Sequence, residues 1–453
     1  MQAKATDTNK SSQTIWGRAR AIAGNARPER NRYVDFLRAL SILAVVAGHW
    51  LIAAPYVSDG AVVGGHLLGI AAWTQWLTWL FQVMPVFFLV GGFANGVSWE
   101  ASTRDNAHYA DWFASRVQRL INPVFPVLLV WSLFAYFGTT LGVDRQIVRM
   151  ATGLALIPVW FLAVYLIVTA LVPVSHRMWV KLRFASFWML VVAAAVTDAL
   201  SLYFEVPYVN FLNFLFVWAA IHQLGYAWKD GAFANAGKGL IWFGGGLVAL
   251  IGLIEFGPYP LAMIGVPGSD LSNSMPPTLA LLALGVMQTG LVLALEQPGR
   301  KFLEDMRVWT ATVMLNGMIM TVYLWHLTAF VLVVAAAGLL GGLGLESMPG
   351  SASWWWSRPI WFALYISLLL PLIAVFARFE RSGSLSRSTG PVANWRLVTG
   401  LALICLGLAM TAAITIVSPQ GVTGVRLWVV ALPFLGAALV GFGPLRAVLR
   451  RGT

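Results

Sequence analysis

The 453-residue sequence has little cysteine and little charge. A single cysteine, Cys405, excludes internal disulfides and cysteine-based metal sites. Charged residues make up 11% of the chain, well below the quarter or so that is usual in soluble domains. The sequence also contains no Cys/His pattern with metal-ligand spacing, no Gly-rich phosphate loop and no Gly-x-Ser-x-Gly elbow. We therefore expect neither a bound metal nor a bound cofactor.

What the sequence has instead is long apolar segments and a mean hydropathy of +0.75. An apolar segment of about 20 residues can cross a bilayer as a helix. The sequence thus predicts an all-α, polytopic transmembrane bundle of about 12 helices in a cell (inner or plasma) membrane. The predicted spans are 35–54, 75–97, 119–138, 151–172, 184–203, 208–227, 239–257, 276–295, 309–331, 358–377, 397–417 and 427–444.

Basic residues predict the orientation of these spans. If the N-terminus lies inside, all but four of the 30 Lys and Arg residues fall on the cytoplasmic side, as the positive-inside rule requires. The four on the outer side are Arg145, Arg149, Arg358 and Arg426. Both termini are then cytoplasmic. The net charge of +12 reflects topology, and we expect the lipid bilayer, not nucleic acid, as the partner.

The first predicted span carries ionisable residues, which are costly in a membrane and point to function. Arg38 and His49 are eleven residues apart, which places them about 16 Å apart along a helix and on the same face. Arg38 lies near the start of this helix, and His49 lies near mid-depth. Burial disfavours the imidazolium, so we expect His49 to be neutral and able to accept a proton.

Two arginines mark the start of the third span. Arg116 and Arg119 are three residues apart and share one face of a helix. Such a pair is either a positive-inside anchor or a site for a phosphate-rich ligand, because guanidinium pairs with phosphate in a bidentate fork.

Later in the chain, Asn316, Tyr323 and His326 lie roughly on one side of a predicted helix, and His326 is a second intramembrane imidazole. His222 and Gln223 favour a packed polar pair. The Trp354–Trp356 triplet favours an aromatic belt at the outer membrane surface over a ligand site.

Several of these residues, taken in order, resemble acyltransferase family 3, a family of integral membrane O-acyltransferases. The resemblance covers roughly residues 33–378 and depends on order and spacing as well as residue type. The motifs are Asp35-Phe-Leu-Arg38-x10-His49, Phe87-Phe88-x3-Gly92-Phe93, Arg116-x2-Arg119-Leu-x2-Pro123, Trp160-Phe161-Leu162 and Tyr323-Leu-Trp325-His326.

The resemblance implies transfer of a short acyl group, such as acetyl, from cytoplasmic acyl-CoA to a hydroxyl of an envelope glycan or glycolipid. Acyl-CoA is then a co-substrate, and a carbohydrate or glycolipid is the acceptor. His49 and His326 become the expected catalytic residues. The expected donor-binding residues are Arg38, Arg116, Arg119 and Trp160, with Asp35, Asn316 and Tyr323 in supporting positions.

The resemblance also implies a domain organisation. Residues 33–378 form the ten-helix acyltransferase core, preceded by a basic, disordered cytoplasmic leader at 1–32, in which we identify no signal peptide. A basic cytoplasmic linker at 379–396 and two extra helices with a short basic tail at 397–453 follow.

A proton-coupled secondary transporter is the competing hypothesis. Twelve helices and buried ionisable residues also suit a carrier in which His49 relays protons. Against it, the two halves of the chain show no sequence similarity to each other, and no conspicuous central cytoplasmic linker separates them.

Overall fold

The structure, a computed structural model, describes residues 14–26, 30–233, 235–381, 392–418 and 424–446. These residues are mainly helical, as predicted. They also contain one antiparallel hairpin that was not predicted, formed by β1 (Tyr56–Ser58) and β2 (Ala61–Val63). Its turn is Asp59-Gly60, with φ of 52° and 75°, a dipeptide that accepts the positive φ of a two-residue hairpin turn.

The helices are numbered here in chain order. They are α1 (Ile15–Gly24), α2 (Arg32–Ile52), α3 (Leu67–Ile70), α4 (Thr78–Phe81), α5 (Met84–Arg104), α6 (Tyr109–Ile121), α7 (Val124–Thr140), α8 (Arg145–Leu156), α9 (Val159–Ala170), α10 (Val172–Leu182), α11 (Phe184–Leu202), α12 (Asn213–Lys229), α13 (Ala236–Phe256), α14 (Leu279–Ala294), α15 (Glu296–Phe302), α16 (Met306–Asn316), α17 (Ile319–Leu339), α18 (Ala352–Arg381), α19 (Asn394–Ile414) and α20 (Leu427–Val440). Two 3₁₀ segments cover Ala72–Leu77 and Val209–Leu212.

Within the described residues, nine helical segments are long and apolar enough to cross a membrane, and α14 with α15, bent by 54°, makes a possible tenth. The chain is therefore a multi-pass membrane protein. Two predicted spans correspond to shorter helices: 208–227 to the 17-residue α12, and 427–444 to the 14-residue α20, which contains Pro433. The count of twelve and the cytoplasmic termini stay predictions.

The ninth predicted span, 309–331, is placed wrongly. The chain breaks between α16 and α17, at Gly317 and Met318, and the apolar helix that follows is α17. The apolar run 309–343 is longer than one span, and hydropathy alone did not locate the break inside it.

The leader prediction is also wrong in one segment, since residues 15–24 form α1. The Thr14 hydroxyl caps this helix by accepting a hydrogen bond from the Gly17 N–H at 2.9 Å. Ala23 is buried against Trp309, whose indole N–H donates to the Ala23 carbonyl at 3.1 Å. This tertiary contact stabilises a short helix that composition alone does not predict. Residues 1–13 lie outside the described part of the chain.

The described chain divides into two compact units. The first unit is Met1–Val45, Trp73–Val97 and Val174–Ile319, and the second unit is Val46–Ala72, Ser98–Pro173 and Met320–Thr453. Four helices therefore contribute residues to both units.

Glycines set the close helix packing of the first unit. A Cβ at Gly92 of α5 would lie 1.9 Å from the His222 carbonyl oxygen of α12, and one at Gly225 would lie 2.3 Å from the Leu89 carbonyl oxygen. The two backbones meet at these glycines, as expected where small residues face each other in membrane helices.

In the second unit, the two C-terminal helices α19 and α20 pack against each other through Gly400 and Gly436, and α19 packs on α9. The sulfur of Cys405 lies 3.6 Å from the Ala163 carbonyl oxygen of α9. The helices beyond residue 378 are therefore joined to the helices of the second unit by close contacts.

Candidate active site

The second unit brings His49 and His326 into direct contact. The Nδ1 atom of His49, on α2, lies 2.8 Å from the Nε2 atom of His326, on α17. The two ring planes are within 4° of parallel, with centroids 5.1 Å apart. His326 is completely buried and His49 is partly exposed. Two imidazoles that are 277 residues apart in the sequence therefore form one hydrogen-bonded pair.

A backbone carbonyl determines which histidine donates the hydrogen bond between the two rings. His326 Nδ1 lies 2.7 Å from the Tyr323 carbonyl oxygen, which only accepts, so Nδ1 carries a hydrogen. In neutral His326 the Nε2 atom is then the acceptor, and His49 Nδ1 donates to it. This leaves His49 Nε2 as the unprotonated nitrogen. The series of hydrogen bonds thus ends at His49, whose Nε2 atom keeps its lone pair on the partly exposed ring.

Two further contacts hold α17 in place. The indole N–H of Trp50, the residue after His49, donates to the His326 carbonyl at 3.1 Å. At the start of α17, the Glu380 carboxylate accepts from the Met320 and Thr321 N–H groups at 3.2 and 3.1 Å. Free N–H groups at a helix start bind carboxylates well. Neither Trp50 nor Glu380 was predicted as a site residue, and the position of Trp50 next to His49 was the signal available for it.

Tyr323 lies on α17, the helix that carries His326, and Trp160 lies on α9. The Tyr323 hydroxyl donates to the Pro158 carbonyl at 2.8 Å, just before α9 begins. Its ring is 5.9 Å from Phe161 and 6.2 Å from the His326 ring. Trp160, the neighbour of Phe161, is half-buried at the first turn of α9. The Trp-Phe-Leu motif therefore packs against the helix that carries His326.

Arg116 and Arg119 lie on α6, also in the second unit. The Arg116 guanidinium is half-buried and stacks on Trp112, with 4.4 Å from Cζ to the ring centroid. Tyr165 is one helical turn from Phe161, with ring centroids 5.6 Å apart. A row of aromatic side chains, Tyr165, Phe161 and Tyr323, thus leads to the histidine pair. Arg119 is exposed.

Arg38, Asp35 and Asn316 form a separate group in the first unit. The Arg38 Nε–H donates to Asn316 Oδ1 at 2.7 Å, and an Nη2–H donates to Asp35 Oδ1 at 2.9 Å. The Asn316 amide donates to the Asp35 carbonyl at 2.9 Å, so the three residues are mutually bonded. Asp35 also pairs with Arg30, between Nε and Oδ2 at 2.5 Å.

The structure therefore distributes the predicted residues between the two units. His49, His326, Tyr323, Trp160, Arg116 and Arg119 lie in the second unit, and Arg38, Asp35 and Asn316 lie in the first. Their roles in catalysis and donor binding remain predictions. His222 takes no part in either group, because its Nε2 atom faces the Asn95 amide nitrogen at 3.2 Å.

Comparison with known proteins gives one positive result. A family model described as an acyltransferase domain matches residues 31–378. This range agrees with the resemblance to acyltransferase family 3 over residues 33–378 and confirms it. No curated protein and no solved structure matches the chain.

Proposed function

The chain belongs to this acyltransferase family, and from that premise we propose that it transfers a short acyl group from acyl-CoA to a hydroxyl of an envelope glycan or glycolipid. Family membership supports an acyltransferase and gives no support to the transporter alternative. The finer assignments rest on the histidine pair. Its geometry is that of a base held by an orienting partner, the arrangement that activates a hydroxyl for attack.

The observation that carries the proposal is the contact between His49 and His326, from which we infer that His49 Nε2 is the unprotonated nitrogen. A general base needs a lone pair, an orientation fixed by a second group and access to the substrate proton. The chain from the Tyr323 carbonyl through His326 to His49 provides the lone pair and the orientation. The partial exposure of His49 provides the access. His326, which is fully buried, is a positioning residue in this scheme.

The reaction follows from this arrangement. The acceptor hydroxyl transfers its proton to His49 Nε2 as its oxygen attacks the thioester carbonyl and forms a tetrahedral intermediate. The intermediate collapses with breakage of the C–S bond, and the departing thiolate takes the proton back from His49. The net products are the acyl ester and free coenzyme A. During the reaction the positive charge is shared with His326, which passes a hydrogen bond on to the Tyr323 carbonyl.

Donor binding is proposed for Arg116 and Arg119, with Trp160 beside the donor. An Arg pair on one helix face matches the phosphates of coenzyme A. The row of aromatic side chains from Tyr165 to Tyr323 then offers an apolar path for the pantetheine arm toward His49. A phosphate-binding role for Arg38 stays a prediction, because its guanidinium is bonded to Asp35 and Asn316.

The test is incorporation of a labelled acetyl group from acetyl-CoA into extractable carbohydrate by membranes that contain the protein. Wild-type membranes should produce an alkali-labile, O-acylated product, and His49→Ala membranes should not. Release of coenzyme A without an acylated acceptor, or product formation by His49→Ala at the wild-type rate, would contradict the proposal.

A further inference from the structure

Arg358, near the start of α18, is a buried cation without a carboxylate partner. Only 7% of the surface of this residue is exposed. Among the described residues, no Asp or Glu pairs with it. Burying a guanidinium without an anionic partner costs free energy. We therefore expect a negatively charged hydrogen-bond acceptor to bind at this position.

The guanidinium is held in one orientation by two aromatic rings. Its Cζ atom lies 4.1 Å from the Trp354 ring centroid and 5.5 Å from that of Trp361. The Nε–H donates to the Trp354 carbonyl at 3.1 Å and an Nη2–H donates to Ser357 Oγ at 3.0 Å. These bonds use two of five N–H donors. The Nη1 group finds no acceptor in the described part of the chain.

A second unused donor lies on the ring beneath Arg358. Trp354 is 1% exposed, and its Nε1–H is buried without a partner among the described residues. Both groups only donate, so the missing partner is an acceptor. Trp354 is thus packed inside the protein, whereas Trp356 is 82% exposed, and the aromatic belt stays a prediction.

Arg358 also lies at a usable distance from the histidine pair in the second unit. Seven residues of α18 separate it from Tyr365, which corresponds to about 10 Å along the helix axis. The Tyr365 ring is 5.1 Å from that of Trp50, whose indole N–H bonds to the His326 carbonyl. The rings of Tyr365 and Trp50 therefore connect the helix that carries Arg358 to the histidine pair.

We propose that Arg358 binds an oxyanion, a phosphate or carboxylate group, of the acyl acceptor. This inference rests on the proposed function and narrows it, because the acceptor becomes an acidic glycan or glycolipid. The anionic group is remote from the hydroxyl that is acylated. The guanidinium, already oriented by Trp354 and Trp361, loses little freedom when it pairs with the anion.

The first test measures anion binding by thermal unfolding of the full-length protein in a neutral detergent. The probes are glucuronate and inorganic pyrophosphate, with glucose and sodium chloride of equal ionic strength as controls. At least one anionic probe should raise the Tm of wild type and of His49→Ala, and neither should raise that of Arg358→Gln. Arg149→Gln, which removes an exposed arginine of α8, should behave like wild type. Should Arg358→Gln not fold, Arg358→Lys keeps the charge without the planar fork and should show a smaller shift.

The second test identifies the product. The acylated product extracted from cells that express wild type should carry a phosphate or carboxylate group. In Arg358→Lys the apparent KM for that acceptor should rise about 10- to 100-fold at nearly constant kcat, the cost of one charge-assisted contact.

A neutral acylated product would overturn the anion site, and so would Tm shifts that do not depend on Arg358. An Arg358-dependent shift produced only by phosphatidylglycerol in detergent micelles would also overturn it, because it would identify Arg358 as an anchor for lipid headgroups. The Tm shift needs no acyl transfer. Absence of transfer with an intact shift would therefore contradict the proposed function and leave the anion site standing.

Discussion

The His49–His326 pair in the second unit and His222 in the first unit place imidazoles in two different settings, and the two settings favour different roles. In the second unit His326 orients His49 through a 2.8 Å bond, and His49 keeps a basic nitrogen on a partly exposed ring. In the first unit His222 is completely buried, its Nε2 atom faces Asn95, and its Nδ1 atom is buried without a partner among the described residues.

The difference shows that burial alone does not indicate a catalytic histidine. If the Asn95 amide donates to Nε2, the hydrogen of His222 is on Nδ1 and no basic nitrogen remains. In the reverse arrangement the basic nitrogen is Nδ1, which no solvent reaches. Neither tautomer of His222 offers an accessible lone pair, whereas the orientation of the second-unit pair leaves a lone pair on a partly exposed ring.

Removing each imidazole in turn tests this comparison most strongly. His49→Ala should lower kcat by about 10²- to 10⁴-fold, the usual contribution of a general base. His222→Ala should leave kcat per folded molecule within a few-fold of wild type and lower the Tm, because it empties a packed site. Initial rates and Tm values of the two purified variants check both statements. A large kcat loss in His222→Ala at normal stability would erase the distinction.

A double-mutant cycle sharpens the same comparison. If His326 acts through His49, His326→Ala should lower kcat strongly alone, and adding it to His49→Ala should cost little more, since residues that act as a unit are non-additive. His222→Ala combined with His49→Ala should instead be additive. Measuring kcat for the four enzymes of each cycle decides the point, and additive losses at His49 and His326 would mean that the two act independently.

The sequence predicted the residues of the site better than their arrangement. His49 and His326 were both identified as buried imidazoles, because an ionisable group within an apolar run stands out. Their contact was not predicted, because two helices 277 residues apart carry no sequence signal of pairing. Trp50, Glu380 and Arg358 were missed as contact residues for a related reason: each matters through a partner distant in sequence.

The fold was predictable where hydropathy decides it and not where local packing does. Apolar length located most of the helices, but the break at Gly317 lies inside one continuous apolar run. Helix α1 depends on the contact between Ala23 and Trp309, and the β1–β2 turn depends on two residues with positive φ. The motif Phe87-Phe88-x3-Gly92-Phe93 contains the glycine at which α5 meets its neighbour, but it does not identify that neighbour as α12.

A glycine substitution tests the packing role of the His222 region. Gly92→Ala places a methyl group 1.9 Å from the His222 carbonyl oxygen and should destabilise the protein by about 1–3 kcal/mol through overpacking. Gly244→Ala, on α13, meets no atom within 4 Å and should be neutral or slightly stabilising. Thermal unfolding in detergent measures both. Equal Tm values for Gly92→Ala and wild type would show that α5 and α12 separate at no cost.

The smallest expected effect concerns the donor end of the second unit. If Arg119 binds a phosphate of coenzyme A, the contact is the same in ground and transition states and lies far from the thioester. Arg119→Lys keeps the charge but loses the bidentate fork, so it should raise the KM for acetyl-CoA about tenfold and leave kcat nearly unchanged.

Acetyl-pantetheine, which lacks the nucleotide phosphates, should abolish the difference between Arg119→Lys and wild type, while His49→Ala stays impaired with both donors. Steady-state kinetics with the two donors therefore separates phosphate binding from proton transfer. Equal losses with both donors in Arg119→Lys would reduce the Arg116/Arg119 pair to a positive-inside anchor, and the histidine pair would remain as the functional feature of the second unit.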